Sequence, residues 1–270
     1  MYGAILGDII GSPYEFDRGE KTKNFPFFDK GCDFTDDSIL TLAVAEALMD
    51  ASPEESDDTI RQRVIHRMRF HGKHYPDAGW GLRFARWLTS YHPKPYGSCG
   101  NGSAMRISAA GWLFDDLTTV RRMARLATDV THDHPEGIKG AEAVACAIWL
   151  ARTGSTKAEI RDFIETIFDY DLSRTCDQIR PSYHHVESCQ ETVPEAMIAF
   201  LEGNSFEDVI RTAVSLGGDC DTLTCIAGSI AEGFYGVSDS WKQTCCEYLP
   251  QNLLTILQRY AQHLLSAQGD

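Results

Sequence analysis

The chain has 270 residues, 43% of them hydrophobic and 24% charged, with a formal net charge of -14. That length supports a sizeable core within one domain, and the acidic balance disfavours a nucleic-acid backbone or an anionic membrane surface as main partner, because both reward clustered Lys and Arg. The nine cysteines are scattered and form no Cys-x-x-Cys pair, which suggests neither a disulfide framework nor a cysteine zinc site and fits a reducing cytoplasm.

From the N-terminus, the first expected helix lies near 4–12. Gly3 to Ile10 is apolar apart from Asp8 and lacks a basic leader or a small-residue cleavage site, so no secretion signal is expected. Gly3, Gly7 and Gly11 give this helix a bare face, read here as tight helix packing. Apolar spacing of the 3.6 type then predicts helices near 36–50, 57–71, 80–90, 103–114, 118–129, 136–152, 156–168, 191–202, 205–215, 222–235, 239–247 and 250–266. Turn chemistry separates them, as at Ser52-Pro53, Gly154-Ser155 and Gly203-Asn204. Arg18 to Phe34 and Asp171 to Glu187 read as mixed loops long enough to cover a cleft. The longest apolar stretch, Ala143 to Ala151, is too short to span a bilayer. The expected fold is all-α, with roughly a dozen helices and no strand, and without a linker it reads as a single domain over 1–270.

Two acidic motifs, Thr35-Asp36-Asp37 and Asp219-Cys220-Asp221-Thr222, each open a helix that is apolar nearly all round: Ile39 to Leu48 and Leu223 to Ala231. Taken singly, each motif reads as a helix cap, with Thr35 at the N-cap and acids complementing the dipole. Buried helices imply buried first turns, however, and uncompensated carboxylates there would cost several kcal/mol each. No Lys or Arg adjoins either motif. Four carboxylates and two hydroxyls form an all-oxygen set suited to two hard cations, Mg²⁺ or Mn²⁺, with open positions for water or substrate.

Gly100-Asn101-Gly102-Ser103-Ala104-Met105-Arg106 is a Gly-rich turn entering a helix, where free N–H groups would hold phosphate oxygens; an ordinary turn with a Ser cap is the other reading. Thr131-His132-Asp133-His134 reads as a polar pocket wall or a capped helix start. Glu15, after the first helix, would default to the surface as a lone acid.

In combination, Gly7-Asp8, Gly11, Glu15, Phe34-Thr35-Asp36-Asp37-Ser38, the Gly100 to Arg106 run, Thr131-His132 and Leu216 to Thr222 resemble the ADP-ribosylglycohydrolase family over nearly the whole chain. The resemblance implies an orthogonal helical bundle with a dimetal cleft that removes ADP-ribose from a protein side chain or small conjugate. It assigns Thr35, Asp36, Asp37, Asp219, Asp221 and Thr222 as metal ligands. Gly100, Asn101, Gly102, Ser103 and His132 become substrate contacts, and Glu15, with Asp36 and Asp221, joins the catalytic group. Mono-ADP-ribosyl-arginine is the expected substrate; serine, guanidine or O-acetyl acceptors, or a non-catalytic ADP-ribose-binding module, are the alternatives. A monomer is expected. Cys220 stands between the paired Asp residues, where a thiol beside the metals would be open to oxidation.

Overall fold

The computed structural model describes residues 1–267. In chain order the helices are α1 (Tyr2–Gly11), α2 (Asp36–Met49), α3 (Asp57–His74), α4 (Leu82–Thr89), α5 (Gly102–Met105), α6 (Ser108–Leu113), α7 (Leu117–Thr128), α8 (Pro135–Arg152), α9 (Lys157–Phe168), α10 (Cys176–Ile179), α11 (Cys189–Glu202), α12 (Phe206–Val214), α13 (Cys220–Tyr235), α14 (Asp239–Tyr248) and α15 (Gln251–Ala267). A short 3₁₀ turn, Ser12–Tyr14, follows α1. Among the described residues there is no strand beyond one isolated antiparallel bridge, Gly100 to Ser188. The expected all-α bundle is what the chain forms, and none of these helices is long and apolar enough to cross a membrane.

Two elements depart from expectation. The helix predicted over 103–114 is broken into α5 and α6, because Arg106 (φ -89°, ψ 1°) and Ile107 (φ -91°, ψ -2°) both occupy the bridge region and interrupt the i→i−4 ladder. Within the expected loop 171–187, Thr175 and Gln178 form a reciprocal capping box that starts α10.

α13 is the axis of the bundle, in contact with α1, α8, α11 and α12. Its closest partner is α1, and the glycines explain how. A Cβ at Gly3 would lie 2.2 Å from the Gly228 carbonyl oxygen, one at Gly7 2.2 Å from that of Thr224, and one at Gly11 2.6 Å from that of Cys220. The bare face of α1 is therefore a seam on which two backbones touch. Gly7→Ala forces the seam apart and is expected to cost about 3 kcal/mol or more, at the upper end of overpacking penalties, measured as a lower urea midpoint at unchanged slope. Gly31→Ala, where a Cβ would meet nothing within 4 Å, tests only backbone strain, since Gly31 has φ +103°.

Candidate active site

The seam brings the C-terminal end of α1 to the N-terminal end of α13, and α2 starts beside both. At that junction Asp8, wholly buried in α1, gathers the start of α2. It accepts the Thr35 N–H (2.9 Å), the Thr35 hydroxyl (2.7 Å), the Ser38 N–H (3.0 Å) and the Ser38 hydroxyl. The Asp37 N–H in turn donates to Thr35 Oγ1 at 3.3 Å, so Thr35 is the N-cap anticipated for α2. The two acidic motifs meet directly: the Thr222 hydroxyl donates to Asp37 Oδ2 at 3.2 Å across 185 residues of sequence.

Carboxylates from four places converge here as two overlapping triads, Asp8 with Asp37 and Asp221, and Glu15 with Asp219 and Asp221. Within each triad one oxygen per residue lies within 4.8 Å of the others. Asp221 belongs to both. Asp36 belongs to neither and lies on the wall of an adjoining cleft of about 550 Å³. The same cleft is lined by Glu15, Asp37, Asp219, Asp221, Thr222, Gly100, Asn101, Gly102 and His132. It is also lined by Gly79 to Gly81, the loop before α4, and by Leu82 and Arg83 of that helix's first turn, and not by the Arg18 to Phe34 segment expected to cover it. That segment instead packs Phe27 and Phe28 on Trp241. The second expected loop reaches the cleft through Glu187 alone.

Two predicted residues turn away from the cleft. The Ser103 hydroxyl, fully buried, donates toward the carbonyls of Gly100 (3.0 Å) and Gly137 (2.9 Å). The Thr35 hydroxyl is directed to Asp8. Asn101 lines the cleft, but its amide donates to Asp219 Oδ2 (2.6 Å) and Thr192 Oγ1 (3.1 Å), so it holds the second acidic motif in place. Three donors of the Gly-rich turn are taken by protein groups: Gly100 N–H by Ser98 Oγ, Asn101 N–H by the Glu187 carbonyl and Ser103 N–H by the Gly100 carbonyl. Asp219 opens α13 without a side-chain capping bond. Cys220 is likewise unlike the expectation: its thiol points into the core toward the Val214 carbonyl and Thr224, and burial pushes it up, so it is neither exposed nor thiolate.

The electrostatics are those of like charges held out of water. Burial, then Asp8, then Asp219 push Asp36 up to about 8, and burial pushes Asp8 up to about 6 against its four hydrogen bonds. Asp37 and Asp221 are held well above the usual carboxylate range by burial first, with further contributions from Asp8 and Asp36 at Asp37 and from Asp37 and Asp219 at Asp221. Burial and then Asp219 push Glu15 up to about 7, against the pull of His185 and Arg18. Asp37 Oδ1 is buried with no partner among the protein groups. An unpartnered carboxylate oxygen amid carboxylates and hydroxyls, with no thiolate or imidazole in either triad, fits hard divalent cations.

Asp8 is the residue that sequence reasoning left without a role. Its signal was visible as the one charged side chain in an otherwise apolar helix. Arg106 was passed over in the same way: it is fully buried on the cleft wall, with burial drawing it down to about 10.

Known proteins match most of the chain's length. The family model described as ADP-ribosylglycohydrolase matches residues 1–269. The ADP-ribosylhydrolase ARH3 of Homo sapiens is 26% identical over 341 residues, covering 96% of this chain and 93% of that protein. The ADP-ribosylarginine hydrolase Tri1 of Pseudomonas putida (strain GB-1) is 26% identical over 269 residues, covering 88% of this chain and 70% of that protein. A solved structure titled ADP-ribosylglycohydrolase-related protein complex superposes with a TM-score of 0.68 at 21% identity over 97% of this chain and 94% of that one, and so shares the fold.

Proposed function

Because the chain belongs to the ADP-ribosylglycohydrolase family, we propose that it acts, as one domain over 1–270, as a dimetal-dependent hydrolase releasing mono-ADP-ribose from protein arginine. The observation that carries this reading is the meeting of the two acidic motifs at the cleft, joined by Thr222 and Asp37 and sharing Asp221 between triads. Asp36, Asp37, Asp219 and Asp221, with the Thr222 hydroxyl and the oxygen of Thr35, whose proton goes to Asp8 and whose lone pairs lie beside Asp37, would hold two Mg²⁺, or Mn²⁺ in their place. Such a pair, when bound, supplies positive charge opposite the acids and Lewis acidity toward sugar hydroxyls.

The remaining chemistry belongs to the side chains. Cleavage at the anomeric carbon builds positive charge on the ribose ring, which the surrounding carboxylates stabilise. Glu15, pushed up to about 7, is poised near neutral pH to protonate the departing nitrogen and then take a proton from the incoming water. Arginine as acceptor is supported by the name of the Pseudomonas relative and by the negative surroundings of Glu15, where Asp219 is a close neighbour, since a guanidinium leaving group is cationic. Asp8 positions: with four donors already on its oxygens, it fixes Thr35 and Ser38 and hence the first acidic motif.

The test offers ADP-ribosyl-arginine and ADP-ribosyl-serine peptides, with Mg²⁺ or with EDTA, and identifies products by mass. Free ADP-ribose from the arginine peptide in Mg²⁺ alone is the expected result. Release from serine alone would move the acceptor, and tight ADP-ribose binding without turnover would make the protein a binding module.

A further inference from the structure

In the cleft wall, Arg106 and His132, joined through Thr131, form a chain that neither acidic motif includes. Arg106 Nη2 donates to Thr131 Oγ1 at 2.7 Å, and Thr131 Oγ1 lies 2.8 Å from His132 Nδ1. Arg106 and Thr131 are wholly buried and His132 is 6% exposed, so bulk water does not complete the chain. Beyond the ring, His132 Nε2 faces the Gly-rich turn: a Cβ at Gly100 or at Gly102 would each meet it at 3.4 Å. The two glycines leave room for that nitrogen on the cleft wall.

The direction of the chain follows from what each group is able to give. Arg106 is donor only, so Thr131 Oγ1 must accept from it and turn its own proton elsewhere. Two acceptors are within reach, His132 Nδ1 at 2.8 Å and the Thr128 carbonyl at 3.4 Å. The shorter contact wins on distance, and a hydroxyl oxygen already accepting from a cation is a better donor and a poorer acceptor. Arg106 makes no other hydrogen bond from its guanidinium, as Nε and Nη1 lack protein partners, so Thr131 takes the whole of its directing effect. Burial, Arg106 and Arg83 together keep the ring neutral, and Arg83 lies over Tyr96, the aromatic next to the imidazole.

We propose that Arg106 and Thr131 are positioning residues that lock His132 as the Nε2–H tautomer, an obligate donor to an anionic or hydroxyl oxygen of a ligand lodged at the Gly100 to Gly102 turn. The choice of ADP-ribose as probe rests on the function proposed above, whereas the tautomer is independent of it. The contact would therefore select acceptor oxygens at that point and reject a ligand presenting a donor there.

Nitrogen-15 NMR of the full-length protein with labelled histidine decides the matter. The wild type is expected to show His132 with Nε2 protonated and Nδ1 bare, and the signal is assigned by its loss in His132→Asn. Thr131→Val, nearly isosteric, is expected to mix the tautomers and weaken ADP-ribose binding about tenfold, with Thr131→Ser restoring both. Arg106→Lys, which keeps a buried donor, is expected to be milder than Thr131→Val. An Nδ1-protonated ring in the wild type, or an unchanged tautomer in a folded Thr131→Val protein, would overturn the proposal. Wild type that fails to bind ADP-ribose yet shows the expected tautomer would sink the functional reading and leave the relay standing.

Discussion

Asp221→Asn is expected to lower kcat/KM for ADP-ribosyl-arginine peptide by about a thousandfold while raising the melting temperature of the metal-free protein. Both signs have one cause. Asp221 is the carboxylate shared by the two triads, so its loss weakens both at once. It is also buried against Asp37 and Asp219, which forces it to take up a proton on folding, and a neutral isostere removes that cost, worth about 1 kcal/mol, in the usual range for a substitution that trades function for stability. Asp36→Ala is expected to lose turnover as well, although Asp36 stands outside the triads on the cleft wall. Steady-state kinetics in Mg²⁺ beside thermal melts in EDTA give both readings. Turnover within tenfold of wild type in either variant would remove that residue from the reaction.

In EDTA, the melting temperature of the wild type is expected to fall by about 5 °C between pH 6.5 and 8.5, corresponding to about 2 kcal/mol, and excess Mg²⁺ is expected to abolish the fall. The sign comes from linkage. Glu15 is raised to about 7, Asp36 to about 8, and Asp37 and Asp221 well above their ordinary value, so the folded chain binds protons that the unfolded chain has released. That contribution is fully present below the unfolded carboxylate range near pH 4 and is lost as pH rises through the folded values. His185, also raised, acts in the same direction. His132, lowered by burial, acts in the opposite one, but its effect is complete by about pH 6.5, the unfolded value. A flat EDTA trace, or a fall that Mg²⁺ leaves untouched, would mean that the acids are not where cations bind.

The sequence made the convergence of the motifs legible because two all-apolar helices had to be buried, and each carried acids in its first turn. Thr35 shows how a local rule survives: it caps α2 as its neighbours require. Asp219 shows the opposite, since its carboxylate is drawn to Asn101, 118 residues away, and caps nothing. Hydroxyl directions were the least legible feature. Ser103 and Thr35 have the right chemistry for a cleft, but their partners, Gly137 and Asp8, are supplied by other helices. The cleft rim escaped for a related reason: Gly79 at φ +88° and the extended Gly81 delay the start of α4, and no periodicity in the helix itself announces that delay.

The glycine seam also carries an expectation for how this protein assembles during synthesis. Gly3 finds a partner in Glu232, 229 residues downstream, and the bare face of α1 has nothing to lie against until α13 has emerged from the ribosome. Loop closure over such a span comes late and slows folding, leaving a nascent chain with its first helix unmatched. A fragment that stops before Cys220 lacks the seam, Asp221 and Thr222 together, so the acidic cluster is expected to assemble in the same event that closes the bundle.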